Sequence, residues 1–217
     1  MKLLILCLLI LYNAALLRML DPVSDRERSG YEEFTVEQRS ALFDIKCFPV
    51  PRIADASVPD VTYTDSWNDV RSYGGERTHE GCDLMGDKMP PGFYPVISMT
   101  DGVVERAGWL NTGGFRIGIR SPSGAYIYYA HLDRYADNIA EGISVHAGEL
   151  LGFMGDSGYG AEGTAGLFPV HLHLGIYIRT DRHEDVPVDP YGILRRLEDL
   201  RTCVRYRAET VVLLPGF

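Results

Sequence analysis

The 217-residue sequence lacks basic clusters, internal repeats and, beyond its first 20 residues, long apolar runs. Lysine and arginine total 21 against 30 acidic residues, which gives a formal net charge of -9 at pH 7. Binding to nucleic acid needs a basic surface that matches the phosphates, so nucleic acid is excluded as the main partner. The absence of a repeat at solenoid spacing excludes a stacked-repeat architecture.

Cysteine is also scarce, with four residues in the chain. Cys7 lies in the N-terminal apolar run, which leaves Cys47, Cys82 and Cys203 for the rest of the protein. Three cysteines form one disulfide at most and leave a free thiol, and the sequence does not determine the pairing. Because neighbours in an extended segment face opposite ways, we assign Cys82 to packing or to a disulfide rather than to the site around Asp83.

The apolar run occupies residues 1–20, MKLLILCLLILYNAALLRML, and is interpreted as a signal peptide or membrane anchor. Residues 3–17 carry no charge, and a run of 15 is short for a membrane span of about 20 residues, which favours a cleaved signal. No small-x-small cleavage site follows, which favours a retained anchor. Both alternatives stay open, and contact with a membrane is expected only through this segment.

The composition and hydrophobic pattern of the remaining chain divide it into three parts. We predict a linker, a short helix and an extended wrap over residues 21–69, a compact domain over 70–202 and a tail over 203–217. Thr35 and Gln38 have capping-box spacing at the start of the short helix, and PYGILRRLEDLRT predicts a final amphipathic helix. The proline-rich run CFPVPRIADASVPDVTYTDSW is expected to wrap an edge of the domain rather than build its core.

The segment from residue 70 onwards contains short apolar or alternating runs that are separated by glycine. Examples are FRIGIR, AYIYYAHL, ELLGFMG and VHLHLGIYI. Runs of this length without helical patterns between them indicate an all-β fold, a compact antiparallel sandwich or barrel with short flanking helices.

Two histidines stand one residue apart in VHLHLGIY, residues 170–177. In a strand, His171 and His173 project from one face, while Leu172 and Leu174 face the core. Such a pair is compatible with a metal site, and equally with two surface or hydrogen-bonded histidines. The motif therefore needs supporting residues elsewhere in the chain.

Supporting residues occur in GERTHEGCDLMG and in YIYYAHL. His79 and Asp83 form an H-x-x-x-D pair whose flanking glycines favour a loop and strand. His131 ends an apolar strand, and simple alternation puts it on the face opposite Ala130. Each motif alone also fits a solvated loop or strand end, but two imidazoles and a carboxylate make a suitable zinc ligand set with an open fourth position.

The ordered set of H-x-x-x-D, then Tyr129 to Leu132 as Y-x-H-L, then H-x-H resembles the M23 or LytM-type zinc endopeptidases. These enzymes cut the peptides of the bacterial cell wall. The likeness covers residues 70–178 and extends to VDPYGIL. It implies a LytM-type β-domain with one Zn²⁺ held by His79, Asp83 and His173, and an unligated catalytic pair, His131 and His171.

The resemblance further implies zinc-assisted hydrolysis of peptide bonds in peptidoglycan cross-bridges or stem peptides. The enzyme is then expected outside the cytoplasm, anchored to the membrane or secreted to the cell wall. The alternative is a catalytically silent wall-binding or hydrolase-regulating module of the same fold. The enzyme is favoured because all five ligand and catalytic positions of the family motif carry the expected residues. The sequence leaves open which bond is cut and which histidine is the general base. GYGAEG, residues 158–163, is interpreted as a loop beside the site.

Overall fold

Antiparallel strands form the centre of the computed structural model, which describes residues 35–71, 77–180, 185–207 and 210–213. The helices are α1 (Val36–Ser40) and α2 (Tyr191–Leu197). The strands are β1 (Arg52–Ile53), β2 (Val70–Arg71), β3 (Arg77–Thr78), β4 (Cys82–Met85), β5 (Pro95–Ile97), β6 (Gly102–Leu110), β7 (Gly114–Arg120), β8 (Ala125–Tyr135), β9 (Ser144–Val145), β10 (Leu150–Met154), β11 (His171–Arg179), β12 (Asp185–Val188), β13 (Cys203–Arg207) and β14 (Thr210–Leu213).

The main sheet has the strand order β12-β11-β8-β7-β6-β9, with β4 also paired to β11 and β10 linking β8 to β5. Its pairings are antiparallel. The predicted all-β class is therefore confirmed. The divisions at residues 20, 69 and 202 stay predictions.

Both predicted helices form. Thr35 Oγ1 accepts a hydrogen bond from the Gln38 backbone N–H at 3.2 Å, and Gln38 Oε1 accepts one from the Thr35 N–H at 2.8 Å. This is the reciprocal capping box that the spacing indicates. α2 buries Ile193, Leu194 and Leu197, the apolar side of its amphipathic pattern.

The two faces of the main sheet have different chemistry. One face packs into the core with side chains that are essentially inaccessible, namely Ile117, Ile119, Ile127, Leu172, Leu174 and Ile176. The opposite face carries His171, His173, Tyr126, Tyr128 and Tyr177, which line a large groove. Period-two alternation on β8 and β11 therefore separates the core from the site.

The expectation that the proline-rich wrap stays out of the core is wrong. Phe48, Val50 and Val61 are buried in the main hydrophobic cluster. Arg201 fixes the wrap, since its Nε donates to the Val50 carbonyl at 3.0 Å and its Nη atoms donate to the Asp60 carboxylate at 2.8 and 2.7 Å. Proline prevents ladder pairing without preventing side-chain burial, so an extended segment still contributes apolar side chains to the core.

Within the residues that the structure describes, no helix has the length and apolarity needed to cross a membrane. The apolar segment 1–20 lies outside them. Its interpretation as a signal or an anchor stays a prediction.

We expect Leu172→Ala to lower the free energy of unfolding by about 2–5 kcal/mol, because it leaves a cavity in a close-packed core. Urea denaturation monitored by circular dichroism measures the change. Leu200→Ala is the matched control, since Leu200 is 67% exposed and its truncation should change stability by less than about 0.5 kcal/mol. Equal midpoints for the two variants would contradict this description of the core.

Candidate metal and catalytic site

Three side chains from neighbouring backbone segments converge on a small triangle of atoms. His79 follows β3, and β4 and β11 pair so that Asp83 lies opposite His173. His79 Nε2 lies 3.0 Å from both Asp83 Oδ1 and His173 Nδ1, and the last two atoms are 2.9 Å apart. Tetrahedral Zn²⁺ with bonds of about 2.0–2.1 Å needs ligand atoms roughly 3.3 Å apart. The triangle therefore fits zinc after small adjustments.

Outer contacts orient two of these side chains. Asp83 Oδ2 accepts a hydrogen bond from Arg71 Nη2 at 2.8 Å, which leaves Oδ1 in the triangle. His79 Nδ1 lies 3.0 Å from the Ser66 carbonyl oxygen and 2.8 Å from Arg71 Nη2. The carbonyl only accepts and the guanidinium only donates, so Nδ1 bonds to one or the other. The tautomer that bonds to Ser66 carries its proton on Nδ1 and presents a lone pair at Nε2. Metal ligation at Nε2 selects that tautomer.

The ionisation of the triangle suits a metal site. Burial acts to raise the pKa of Asp83, but its polar contacts with His173 and His79 outweigh burial and hold that pKa well below its usual range. Burial lowers the pKa of His173 despite the opposing effect of Asp83. An ionised carboxylate and a neutral imidazole are the forms that bind a divalent metal.

A β-bulge turns His131 towards the groove. Phe115 pairs with Leu132 and Ile117 with Tyr129, so the single residue Arg116 lies opposite two residues of β8. His131 has a φ of 61°, an uncommon left-handed conformation for a residue other than glycine. Ala130 and His131 consequently line the same cavity, and the alternation expected from the sequence fails here.

His131 and His171 are held in the same way. His131 Nδ1 donates to the Ser157 carbonyl and His171 Nδ1 to the Pro169 carbonyl, each at 2.8 Å. In its neutral form each ring therefore carries its lone pair on Nε2, and the ring centroids are 4.7 Å apart. His171 Nε2 lies 4.0 Å from Asp83 Oδ1. Burial lowers the pKa of His131 to about 3, so this ring is neutral at physiological pH.

All five predicted residues line one groove of about 1090 Å³. Tyr159, within the 158–163 loop, is part of its lining, and its hydroxyl accepts a hydrogen bond from Arg77 Nη2 at 2.8 Å. The interpretation of that loop as a neighbour of the site is confirmed. Aromatic rings surround the histidine pair, with the Phe168 centroid 4.8 Å from that of His131 and 5.2 Å from that of His171.

Sequence reasoning missed the other residues that line the groove or orient the site. Tyr126 and Tyr128 share a strand face with Ala130, so the two-residue alternation of a strand could have predicted that they face the groove. Gly118 has no side chain, which leaves room for the Tyr126 hydroxyl. A Cβ atom at position 118 would clash with that hydroxyl. Arg71 and Arg116 carry no signal in sequence, because only the pairing of distant strands brings them to the groove.

The remaining histidines and cysteines lie away from the groove or outside the described residues. The His146 side chain is 87% exposed, and His183 is outside the described residues. Cys82 is a buried free thiol whose Sγ lies 3.5 Å from the Thr64 carbonyl oxygen, which confirms a packing role. Cys47 is free as well, and the side chain of Cys203 is outside the described residues.

The family model described as Peptidase family M23 matches residues 77–190, a span that includes all five positions. The chain belongs to peptidase family M23. A Bacillus subtilis M23 relative, L-Ala-D-Glu endopeptidase, is 44% identical over 151 residues, which is 70% of this chain and 43% of the relative. Glycyl-glycine endopeptidase ALE-1 of Staphylococcus capitis is 37% identical over 67 residues, or 30% of this chain and 18% of that protein.

A solved structure is also similar to this M23 chain. The crystal structure of a Ruminococcus gnavus protein, described as a candidate glycyl-glycine endopeptidase LytM, has 52% sequence identity and a TM-score of 0.73. The match covers 84% of this chain and 72% of that one, and it supports the LytM-type fold. The M23 chain spans less than half the length of the two curated relatives.

Proposed function

We propose that this M23 protein is a zinc-dependent endopeptidase that hydrolyses the L-Ala-D-Glu bond in peptidoglycan stem peptides. The observation that carries the proposal is the ligand triangle of His79, Asp83 and His173 beside two imidazoles whose Nδ1 atoms are both bonded to backbone carbonyls. The choice of bond follows the Bacillus subtilis relative, whose alignment is longer and closer than that of ALE-1. The Ruminococcus gnavus structure, at 52% identity, is described as a candidate glycyl-glycine endopeptidase, so cleavage of a Gly-Gly bond is the competing outcome. Action on peptidoglycan also agrees with the predicted location outside the cytoplasm.

The proposed chemistry divides between the triangle and the histidine pair. His79, Asp83 and His173 would hold the zinc ion, which when bound would supply the Lewis acidity that lowers the pKa of water and polarises the scissile carbonyl. His171, whose Nε2 is 4.0 Å from Asp83 Oδ1, accepts the proton of the attacking water and returns it to the leaving amine. His131 accepts the second hydrogen of that water at its own Nε2 and fixes the orientation of attack.

The surroundings keep this pair in position. The carbonyls of Ser157 and Pro169 hold both Nδ1 protons, so the two rings cannot change tautomer without losing a hydrogen bond. Phe168 and Tyr159 pack beside His131 and exclude bulk water from the buried ring. Geometry and water exclusion both favour proton transfer over simple substrate binding.

Digestion of purified peptidoglycan followed by mass spectrometry tests the proposal. We expect released peptides with a new amino-terminal D-Glu, no release in the presence of a chelator, and recovery when zinc is added. New amino-terminal glycine would assign the enzyme to cross-bridges instead. If zinc-loaded protein produces no new amino termini and co-sediments with the wall, the silent wall-binding module is the correct alternative.

A further inference from the structure

Arginine dominates the charge of the groove in a chain whose net charge is -9. The charged lining consists of Arg71, Arg77, Arg106, Arg116, Glu80 and Asp83, apart from the histidines. Asp83 belongs to the ligand triangle and is ion-paired with Arg71, so one acidic side chain, Glu80, is left against three basic ones. Local positive charge of this kind attracts an anionic substrate even when the whole protein is acidic.

Arg116 differs from the arginines that are already engaged. Arg71 donates to Asp83 and Arg77 donates to Tyr159, each at 2.8 Å. The Nη1 atom of Arg116 and the Nε atom of Arg71 are both buried without a hydrogen-bond partner among the described residues, but Arg71 is already held through its Nη2. Buried guanidinium donors are normally paired, and Arg116 lines the groove, so a carboxylate bound there could supply the missing partner after a change of rotamer.

Arg116 also lies in the same row across the sheet as the ligand triangle. Asp83 pairs with His173, His173 pairs with Ala130, and the bulge places Ala130 and His131 opposite Arg116. Adjacent strands are about 4.8 Å apart, so the Cα atoms of His173 and Arg116 are separated by roughly 10 Å. A peptide advances about 3.5 Å per residue. A carboxylate on the first residue after the scissile bond is therefore within reach of a long arginine side chain.

We infer that Arg116 binds the free carboxylate of the residue that supplies the leaving amine, and thereby selects acidic stem peptides. This inference rests on the proposed function and extends it. D-Glu has two carboxyl groups, of which only one continues the peptide, so the other is ionised close to the scissile bond. The planar guanidinium matches a carboxylate through two parallel hydrogen bonds. A Gly-Gly bond offers no such charge.

Two synthetic peptides that differ only at this carboxylate test the inference. One contains D-Glu after L-Ala, and the other has the same residue and linkage with the free carboxylate of D-Glu converted to a carboxamide. We expect the wild-type kcat/KM to favour the acidic peptide by roughly 10- to 100-fold, the effect of hydrogen bonds to a charged group. Arg116→Met should remove that preference by slowing only the acidic peptide. Arg116→Lys keeps the positive charge but loses the planar pair of donors, and it should retain part of the preference for the acidic peptide.

The matched control is Arg195→Met, which removes an exposed arginine of α2 and should leave the preference unchanged. Cleavage of the amide peptide reports that each variant is folded. Equal loss on both peptides, or a wild type indifferent to the carboxylate, would overturn the role of Arg116 and leave the proposed function standing.

Failure of the proposed function gives a different result, because the zinc-loaded wild type then cleaves neither peptide. Calorimetric binding of both peptides to His171→Ala needs no hydrolysis and measures the preference separately. Tighter binding of the acidic peptide that disappears in the Arg116→Met, His171→Ala double variant supports the inference. Equal binding of the two peptides to His171→Ala contradicts it.

Discussion

His173→Ala is expected to reduce bound zinc from about one ion per chain to a small fraction of that value. His173 supplies Nδ1 to a triangle whose other members are His79 Nε2 and Asp83 Oδ1. A structural or catalytic zinc needs at least three protein ligands, and the two that remain do not retain the ion against a chelator. Elemental mass spectrometry after gel filtration, with a chelator competition, measures the loss.

The control for that result is His146→Ala, which removes an exposed histidine away from the groove and should retain zinc. Circular dichroism establishes that both variants are folded. Full zinc content in His173→Ala would contradict the ligand assignment.

His171→Ala should separate metal binding from hydrolysis. We expect it to keep its zinc and to lose about 10²- to 10⁴-fold in the rate of peptide cleavage, the usual contribution of a positioned general base. His131→Ala should behave similarly, because its ring is 4.7 Å from that of His171 and its Nε2 is also unprotonated. Single-turnover kinetics with the L-Ala-D-Glu peptide measure both rates.

The double variant His131→Ala, His171→Ala extends this test. If the pair acts as a unit on one water, removing both histidines costs little more than removing one. Loss of zinc in His171→Ala would move that residue into the ligand set. An unchanged rate would exclude it from the chemistry.

Backbone geometry also distinguishes the site from the rest of the sheet. His131 and Tyr159 both have left-handed φ values, 61° and 57°, and their rings stack at 5.6 Å. Such conformations cost of order 1–3 kcal/mol each and persist where the surrounding structure determines them. The hydrogen bond from the His131 backbone N–H to Gly113 and the bond from its Nδ1 to Ser157 hold the strained residue in place.

Much of the scaffold was predictable because local rules govern it. Glycine-punctuated runs indicated antiparallel strands, and the positions of Leu172 and Leu174 in the core followed from period two. The capping box at Thr35 and Gln38 is likewise a local signal. The same alternation put His171 and His173 on one face, which the structure confirms.

Other features depend on contacts between distant segments. A bulge on β8 cancels simple alternation at His131, and no pattern in AYIYYAHL marks it. Burial of Phe48 and Val50 depends on the clamp formed by Arg201 more than 140 residues later. The position of Arg116 opposite the bulge follows from strand register, which the sequence alone does not specify.

The most direct test of the account is a zinc titration of chelator-stripped protein while cleavage of the L-Ala-D-Glu peptide is followed. We expect no cleavage without metal, a rate that rises in proportion to zinc up to one equivalent per chain, and a single cut that yields amino-terminal D-Glu. Full activity in the stripped protein, or no cleavage at one equivalent of zinc, would contradict it.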